Sequence, residues 1–352
     1  MKIICIGKGN DPRCLGGVET FERVLYKTFK DKIKFLVWNT NKDKIFECEN
    51  VENIQEPKNL SEKILLKIFG KTRCTTYKTK KENPDIVIIN KPKDIRMIKK
   101  LKCKKVLIQH GDLNTYKKTT FDKNLKLKKQ LRENLDYYVF LSEESNKLFS
   151  KELELKKDQG IVIRHSCELP LLKGKKIKNK KLIMIVRLEN NQKRIDLAIK
   201  AMKKLEGYTL EIYGEGEHEE LLKNLVIENS LQDRVFFKGK TTRIEENLDE
   251  ASIFIMTSDR EGYPIAVIEA LMRGLPIILR DTFESAKDIV QSNGVLLPQE
   301  WNEDEFVSAV NDVYNNYEQY SKKSIELAKR HQLEVISEQW KNLLLGDEEN
   351  ND

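Results

Sequence analysis

Two glutamates eight positions apart, Glu261 and Glu269, bracket a proline in the segment REGYPIAVIEAL, Arg260 to Leu271. Before them SIFIMTS, Ser252 to Ser258, has the apolar pattern of a short strand, and Pro264 suits the first turn of a helix that follows. At such a strand–loop–helix junction the loop amides and the positive helix end face outward together. Gly262 and Tyr263 can then offer backbone N–H groups to a phosphate or sugar oxygen, and Gly262 lets a ligand come close to the chain. Glu269 falls five residues beyond Pro264, roughly 7.5 Å along a helix axis, so the two carboxylates can serve different ends of one elongated ligand. A sugar at Glu261, a diphosphate over the helix end and a ribose at Glu269 fit that separation, since carboxylates accept hydrogen bonds from hydroxyls. In isolation the two glutamates read rather as a solvated loop acid and a surface helix residue, so the context decides.

That context contains cations and glycines. In LIMIVRLENNQKRIDLAIKAM, Arg187 ends a strand and Lys193 stands six residues later at a helix entry. Together they can neutralise a diphosphate, lysine as a point charge and arginine through forked hydrogen bonds. Near the start, KIICIG runs into Gly16, Gly17, Val18 and Glu19 before a helix, a glycine turn where backbone can approach phosphate, although the spacing is not GxGxxG. A further pair, Gly214 and Gly216 in TLEIYGEGEHEELL, reads as backbone geometry rather than a binding feature.

The elements that carry these residues alternate. The front half runs KIICIG, VETFERVLYKTF, KFLVWN, DIVIIN, KKVLIQ, DYYVFLS and GIVIRH. The back half repeats the rhythm with LIMIVR, RIDLAIKAMKKL, TLEIYG, EELLKNLVIEN, RVFFKG, SIFIMTS, PIAVIEALMRG and PIILRD. Nearly continuous apolar strands separated by helical patterns imply α/β domains with parallel, doubly wound sheets and ligands at the carboxyl ends of the strands. The boundaries expected are 1–170 for a first Rossmann-like domain, 171–181 for a basic linker, and 182–318 for a second Rossmann-like domain. Helices over 319–345, crossing back towards the first domain, and a disordered tail over 346–352 complete the chain.

At 352 residues the chain is long enough for two cores. Six scattered cysteines without a CxxC pair argue against a disulfide framework or structural zinc. No apolar run reaches the roughly 20 residues of a membrane span, and MKIICIG enters strand-like sequence directly, so a cytoplasmic location is expected. The net charge of +8 is unevenly spread: residues 1–170 hold 38 Lys and Arg against 23 Asp and Glu, and the remainder 26 against 33. A basic front half suits an anionic partner, although lysine-rich composition alone also raises the average. Within it, LSEKILLKIF, Leu60 to Phe69, places Leu60, Ile64, Leu65 and Ile68 on one helical side, followed by Lys71, Arg73, Lys78, Lys80 and Lys81. This reads either as a helix for an anionic membrane surface or as one packed on its own domain. Lysine-dense Lys117 to Arg132 reads either as the border of an acceptor cleft or as a solvated helix.

Taken together, the series resembles the family-four retaining glycosyltransferases of the GT-B fold, most closely from Ile183 to Leu297. The GEG turn, RVFFKG, TSDREGYPIAVIEALMRGLPII and NGVLL carry the likeness, and GGVETF at Gly16 extends it weakly into the front half. The resemblance implies two Rossmann-like domains facing each other across a cleft. It also implies that Arg187 and Lys193 hold the donor diphosphate and stabilise the departing nucleotide, and that Glu261 contacts sugar hydroxyls. Gly262, Tyr263 and Pro264 then shape the loop, Glu269 binds the ribose, and Gly16 and Gly17 approach the donor from the other domain. His110, in KKVLIQHGD, stands where many members have a histidine at the reaction centre. There are departures: Val186 and Arg194 occupy places where glycine is common, His165 a place where asparagine is frequent, and Arg280 and Asp281 are unusual and could add donor contacts.

The function this implies is retaining, metal-independent transfer of a hexosyl or N-acetylhexosaminyl group from a nucleoside diphosphate sugar, a UDP-sugar first. The acceptor is a membrane-associated glycan or a polyprenyl-diphosphate-linked one, in surface polysaccharide assembly on the inner face of the plasma membrane. No cofactor is expected, and the absence of a DxD triplet agrees with metal independence. The alternative is a catalytically silent GT-B protein that binds or stabilises a partner enzyme. A nucleic-acid partner is not expected, because the basic half lacks an aromatic-basic recognition pattern.

Overall fold

The computed structural model describes residues 1–38, 43–57, 59–122, 124–174 and 178–346. The expected tail beyond Gly346 and residues 175–177 of the expected linker lie outside them. The chain forms two compact units: Met1–Ser166 with the chain from Ile336 onward, and Cys167–Val335. The helices expected over 319–345 are thus divided, Tyr317–Ala328 staying with the second unit and the chain from Ile336 joining the first.

In the first unit seven parallel strands are β1 (Ile3–Gly7), β2 (Ile33–Val37), β3 (Val51–Asn53), β4 (Ile86–Ile89), β5 (Lys104–Ile108), β6 (Tyr137–Phe140) and β7 (Gly160–Val162). Their order is β3-β2-β1-β4-β5-β6-β7. The second unit holds β8 (Lys181–Ile185), β9 (Thr209–Tyr213), β10 (Val235–Gly239), β11 (Ile253–Met256), β12 (Ile277–Arg280) and β13 (Gly294–Leu297), ordered β10-β9-β8-β11-β12-β13. Central strands such as Ile3–Gly7 and Ile253–Met256 are buried along their whole length, which explains their unbroken apolar sequence: helices cover both faces. In each sheet the winding reverses once, between β1 and β4 and between β8 and β11. Such a reversal splays the loops at the strands' carboxyl ends and opens a crevice there.

Helix Gly17–Phe29 buries Phe21, Val24, Leu25 and Phe29 against the first sheet. The last helix, Leu333–Leu345, adds the fully buried Trp340, whose ring lies 5.9 Å from Phe21, and a 2.8 Å hydroxyl contact between Ser337 and Thr28. The basic amphipathic segment is longer than the sequence pattern suggests. It forms helix Leu60–Lys81, capped by the Asn59 side chain and broken at Gly70, where φ is 72° and ψ 173°. Only glycine takes that conformation readily. Before the break Leu60, Ile64 and Ile68 stay exposed; after it Cys74, Thr75, Lys78 and Thr79 are buried. Lys78 therefore does not belong to an outer basic face: its ammonium sits 2.5 Å from Glu52 and 3.0 Å from Glu62. Burial pushes the Glu52 carboxyl up, but hydrogen bonds and charge from Lys34 and Lys78 outweigh it and bring the pKa down to about 2. In the Lys117 to Arg132 segment, Lys117 pairs with Glu152 at 3.1 Å, Lys128 with the same carboxylate and Arg132 with Glu154, while Leu127 and Leu131 are buried. Within it, helix Leu125–Asn134 is packed on its apolar side and ion-paired at its rim. No helix among the described residues is long and apolar enough to cross a membrane.

Candidate functional site

At the β8/β11 reversal of the second unit, the two loops that leave these strands are tied to one another. Lys193 ends the short helix Asn190–Lys193, and its ammonium lies 2.6 Å from Glu261 Oε1, both side chains being largely buried. The backbone around the pair is held in place by four hydrogen bonds. Thr257 Oγ1 donates to the carbonyls of Lys193 (3.1 Å) and Arg194 (2.8 Å), Asp259 N to Gln192 O (2.8 Å), and Gln192 Nε2 to Arg260 O (2.9 Å). The next loop holds the other side, with Thr282 Oγ1 on Ser258 O at 2.7 Å and Ser285 Oγ on Gly262 O at 2.6 Å. Arg280, read from the sequence as a possible donor contact, has a different task. It is buried and donates to Thr257 O (2.9 Å), Asp259 Oδ1 (2.5 Å) and Gln299 O (2.5 Å), fixing the start of the glutamate loop from below. Asp281 pairs with Lys287 at 3.0 Å.

Arg187 is exposed just beyond β8, and no hydrogen bond or ion pair engages its side chain among the described residues. Its backbone is rigid, however. Val186 N donates to Tyr213 O (2.9 Å) and Leu188 N to Glu215 O (3.0 Å), so the GEG turn lies flat against the arginine loop. A Cβ on Gly214, where φ is +132°, would stand 1.9 Å from Val186 O, and one on Gly216 2.4 Å from Leu188 O. The glycines are there because backbone lies on backbone. Arg194 explains another departure: its φ of 48° is left-handed, the conformation that makes glycine common at such a place. Here the arginine is retained by pairing with Asp196 (3.1 Å) and Asp259 (3.5 Å). Val186 needs no such conformation and continues the strand ladder.

Pro264 is the N-cap of helix Ile265–Met272 in an extended conformation, one residue before the first turn rather than within it. Tyr263 turns its ring inward, its hydroxyl 3.0 Å from Asp288 and 3.3 Å from His331, so this residue can offer only its backbone. Gly262 is half-buried beside Glu261, and Glu269 is half-buried on the following helix. Arg187, Lys193, Glu261, Gly262, Pro264 and Glu269 therefore all belong to one reversal point. Gly16, Gly17 and His110 belong to the first unit.

In that unit Gly16, with φ at 150°, caps helix Gly17–Phe29, and both glycines are exposed. A Cβ on Gly16 would meet the Glu19 carboxylate at 2.2 Å, an acid folded over the positive helix end. His110 follows β5. Asn90 Nδ2 donates to Glu22 Oε1 at 2.8 Å, which turns Asn90 Oδ1 towards His110 Nε2 at 3.0 Å. A neutral imidazole thus donates through Nε2 and leaves Nδ1 as a lone pair, buried and without a partner. Burial, aided by the Lys91 ammonium, pushes the His110 pKa down to about 3, and burial, with Glu19 and Asp11 adding to it, pushes Glu22 well up. His165 stacks on His110 at 5.6 Å and 14°, with Phe21 against both rings. Neither Glu22 nor Asn90 stood out in the sequence; a polar residue closing the apolar strand IVII was the available signal for Asn90. Among the described residues no group of three His, Cys, Asp or Glu could hold a metal ion.

Solved structures share this architecture. The Anabaena protein HepE in complex with UDP and glucose superposes with a TM-score of 0.80 at 16% identity, covering 98% of this chain and 99% of that one. The chain has the GT-B fold. Residues 172–331, nearly all of the second unit, match the family of glycosyl transferases group 1. An uncharacterized glycosyltransferase of Haemophilus influenzae is 34% identical over 185 residues, which are 50% of this chain and 52% of that protein. The O-antigen biosynthesis glycosyltransferase WbnH of Escherichia coli is 25% identical over 207 residues, 58% of this chain and 59% of its own length. The chain thus spans little more than half the length of these curated relatives. Within the GT-B fold, the matched segment contains Arg187, Lys193, Glu261 and Glu269, whereas His110 and the glycine turn lie outside it.

Proposed function

We propose that this GT-B chain transfers a hexosyl or N-acetylhexosaminyl group, with retained configuration, from a UDP-sugar to a membrane-associated or lipid-linked glycan in surface polysaccharide biosynthesis. The observation that carries the reading is the Lys193–Glu261 pair on mutually tied loops at the β8/β11 reversal, with Arg187 exposed on the loop that leaves β8. The glycosidic C–O bond to the donor phosphate breaks and a new one forms to an acceptor oxygen, whose proton leaves with the departing phosphate or to solvent. Negative charge grows on the leaving diphosphate, and in this proposal the ammonium of Lys193 and the guanidinium of Arg187 stabilise it without a metal ion. Glu261 accepts from sugar hydroxyls while its other contact holds Lys193; the Gly262 and Tyr263 amides serve the phosphates, and Glu269 the ribose. His110, kept neutral, contributes a hydrogen-bond acceptor rather than a charge.

The acceptor side of the proposal draws on the exposed face of Leu60, Ile64 and Ile68, interleaved with Lys63 and Lys67, which suits the inner surface of an anionic membrane. Reversing Lys63 and Lys67 is expected to lower retention on anionic vesicles while leaving neutral vesicles unaffected; equal retention contradicts this part. The reaction itself is tested by incubating the protein with a panel of UDP- and GDP-sugars and lipid-linked acceptors, with product linkage read by NMR and parallel runs in chelator. A retained linkage from a UDP-sugar is expected. Partner capture with neither donor binding nor turnover would instead identify a silent subunit.

A further inference from the structure

The first unit has its own winding reversal, between β1 and β4, and the residues that leave its strands there are cationic. Lys8 follows β1, Trp38 follows β2, and Lys91 stands two residues beyond β4. Lys8 Nζ lies 4.4 Å and Lys71 Nζ 5.6 Å from the centre of the Trp38 ring, a cation–π arrangement in which two ammonium groups share one indole. Trp38 is oriented by its Nε1 donating to Thr75 Oγ1 at 3.0 Å, and Thr75 in turn donates to Lys71 O at 2.8 Å. Lys91 Nζ donates to Lys8 O at 2.5 Å, beside Gly9, whose φ of +88° turns the loop.

The charges here do not balance. Asp94, buried, lies 3.3 Å from Lys8. Lys71 and Lys91 are exposed and have no ion-pair partner among the described residues. Composition alone does not explain this, because other lysines of the same unit are well matched: Lys78 has Glu52 and Glu62, and Lys34 has Glu52 and Glu82. Like charges gathered at a crevice repel one another until an anion enters, and lysine binds phosphate as a point charge. The exposed apolar run of Leu60, Ile64 and Ile68 ends three residues before Lys71 in the chain, on the other side of the break at Gly70. Lys91 is also the charge felt at His110.

We propose that Lys8 and Lys71, which share the Trp38 ring, and Lys91, whose ammonium is bonded to the Lys8 carbonyl, bind the phosphate or diphosphate group of the acceptor. This rests on the reading of the chain as a transferase acting on a membrane-presented acceptor, and it assigns that acceptor a phosphate-bearing class. The source is a lipid-linked diphosphate or a phosphate-containing polymer, both of which present the same anion.

The test is calorimetric titration with inorganic pyrophosphate of the wild-type chain, Lys193→Ala and Lys71→Ala/Lys91→Ala. Both lysines of the double variant are exposed, so the fold is retained, and Lys71→Arg/Lys91→Arg serves as the rescue. The expected result is binding that survives Lys193→Ala and weakens about tenfold or more in the double alanine variant, the scale of a lost charge-assisted contact. A prenyl diphosphate in neutral micelles and a glycerol-phosphate oligomer are then compared with pyrophosphate, and the tighter of the two names the source. Pyrophosphate binding that is absent at about 1 mM, is unchanged in the double alanine variant or is lost only in Lys193→Ala overturns the site. Weaker binding of both larger ligands than of pyrophosphate overturns its assignment to the acceptor. UDP titrated separately reads the donor site, so failure of the transferase reading shows as missing UDP binding and is told apart.

Discussion

The two winding reversals of this chain solve the same problem differently. At β8/β11 the loops are bonded to each other, Lys193 is matched by Glu261, and Arg280 holds the glutamate loop from beneath. At β1/β4 Lys71 and Lys91 are exposed and have no ion-pair partner among the described residues, and the organised part is the hydrogen-bonded set of Glu22, Asn90 and His110. On the proposed reading, the first crevice takes one fixed chemical group, a nucleoside diphosphate, and is preorganised by backbone contacts, whereas the second takes a phosphate-bearing acceptor on cations that solvent reaches. The difference shows which interactions a substitution removes at each reversal.

The largest effect is expected at the paired reversal. Lys193→Ala should lower kcat/KM by about 100- to 1000-fold, since it removes a preorganised charge from the leaving group. Glu261→Ala should lower it comparably, and the double variant by much less than the product, because the two side chains already act as a pair at 2.6 Å. Steady-state kinetics on all three checks this; full additivity would separate the two roles. Next come the glycines. Gly214→Ala forces a Cβ onto Val186 O and should cost about 3 kcal/mol, read by chemical denaturation. Gly16→Ala meets only the movable Glu19 carboxylate, although its φ of 150° also disfavours a side chain, and should cost about 1 kcal/mol.

A smaller effect is expected from His110. Its pKa is about 3 in the folded chain against about 6.5 when unfolded. The unfolded state therefore binds the extra proton first, and this contribution to stability is complete above about pH 6.5 and is lost as pH falls towards 3. Glu22, raised, runs the opposite way, so the informative quantity is the stability difference between wild type and His110→Asn. That difference should shift in favour of the variant from pH 6.5 to 4.5, above the range in which Glu52 titrates. A pH-independent difference would mean that His110 takes up its proton as readily in the fold as in the unfolded chain. The smallest change is Arg194→Gly, where relief of the left-handed φ of 48° offsets the lost pairs with Asp196 and Asp259; stability should stay within about 1 kcal/mol.

The same contrast governed how far the sequence could be read. Long apolar strands covered on both faces show themselves by composition, and the strands of both sheets follow the expected segments; β3 is the exception, three residues of VEN with no pattern of their own. In the second unit Lys193 and Glu261 stood out by residue type in short loops after apolar strands, and the fold adds that their side chains meet at 2.6 Å. Arg280 drew notice for its charge, but burial under Thr257 and Asp259 is a tertiary fact. Glu22 and Asn90 come from separate elements 68 residues apart, and only folding unites them. Lys78 misled for the same reason: in sequence it continues a basic run, and in the fold two glutamates enclose it.

The account stands most directly on whether the β8/β11 reversal holds the donor diphosphate. Arg187 offers the cleanest probe, since its exposed side chain makes no hydrogen bond or ion pair among the described residues. Titrating UDP into wild type, Arg187→Ala, Lys193→Ala and Lys71→Ala/Lys91→Ala should show at least about tenfold weaker binding in the first two variants, and no change in the last. Undiminished UDP affinity in both Arg187→Ala and Lys193→Ala would contradict it.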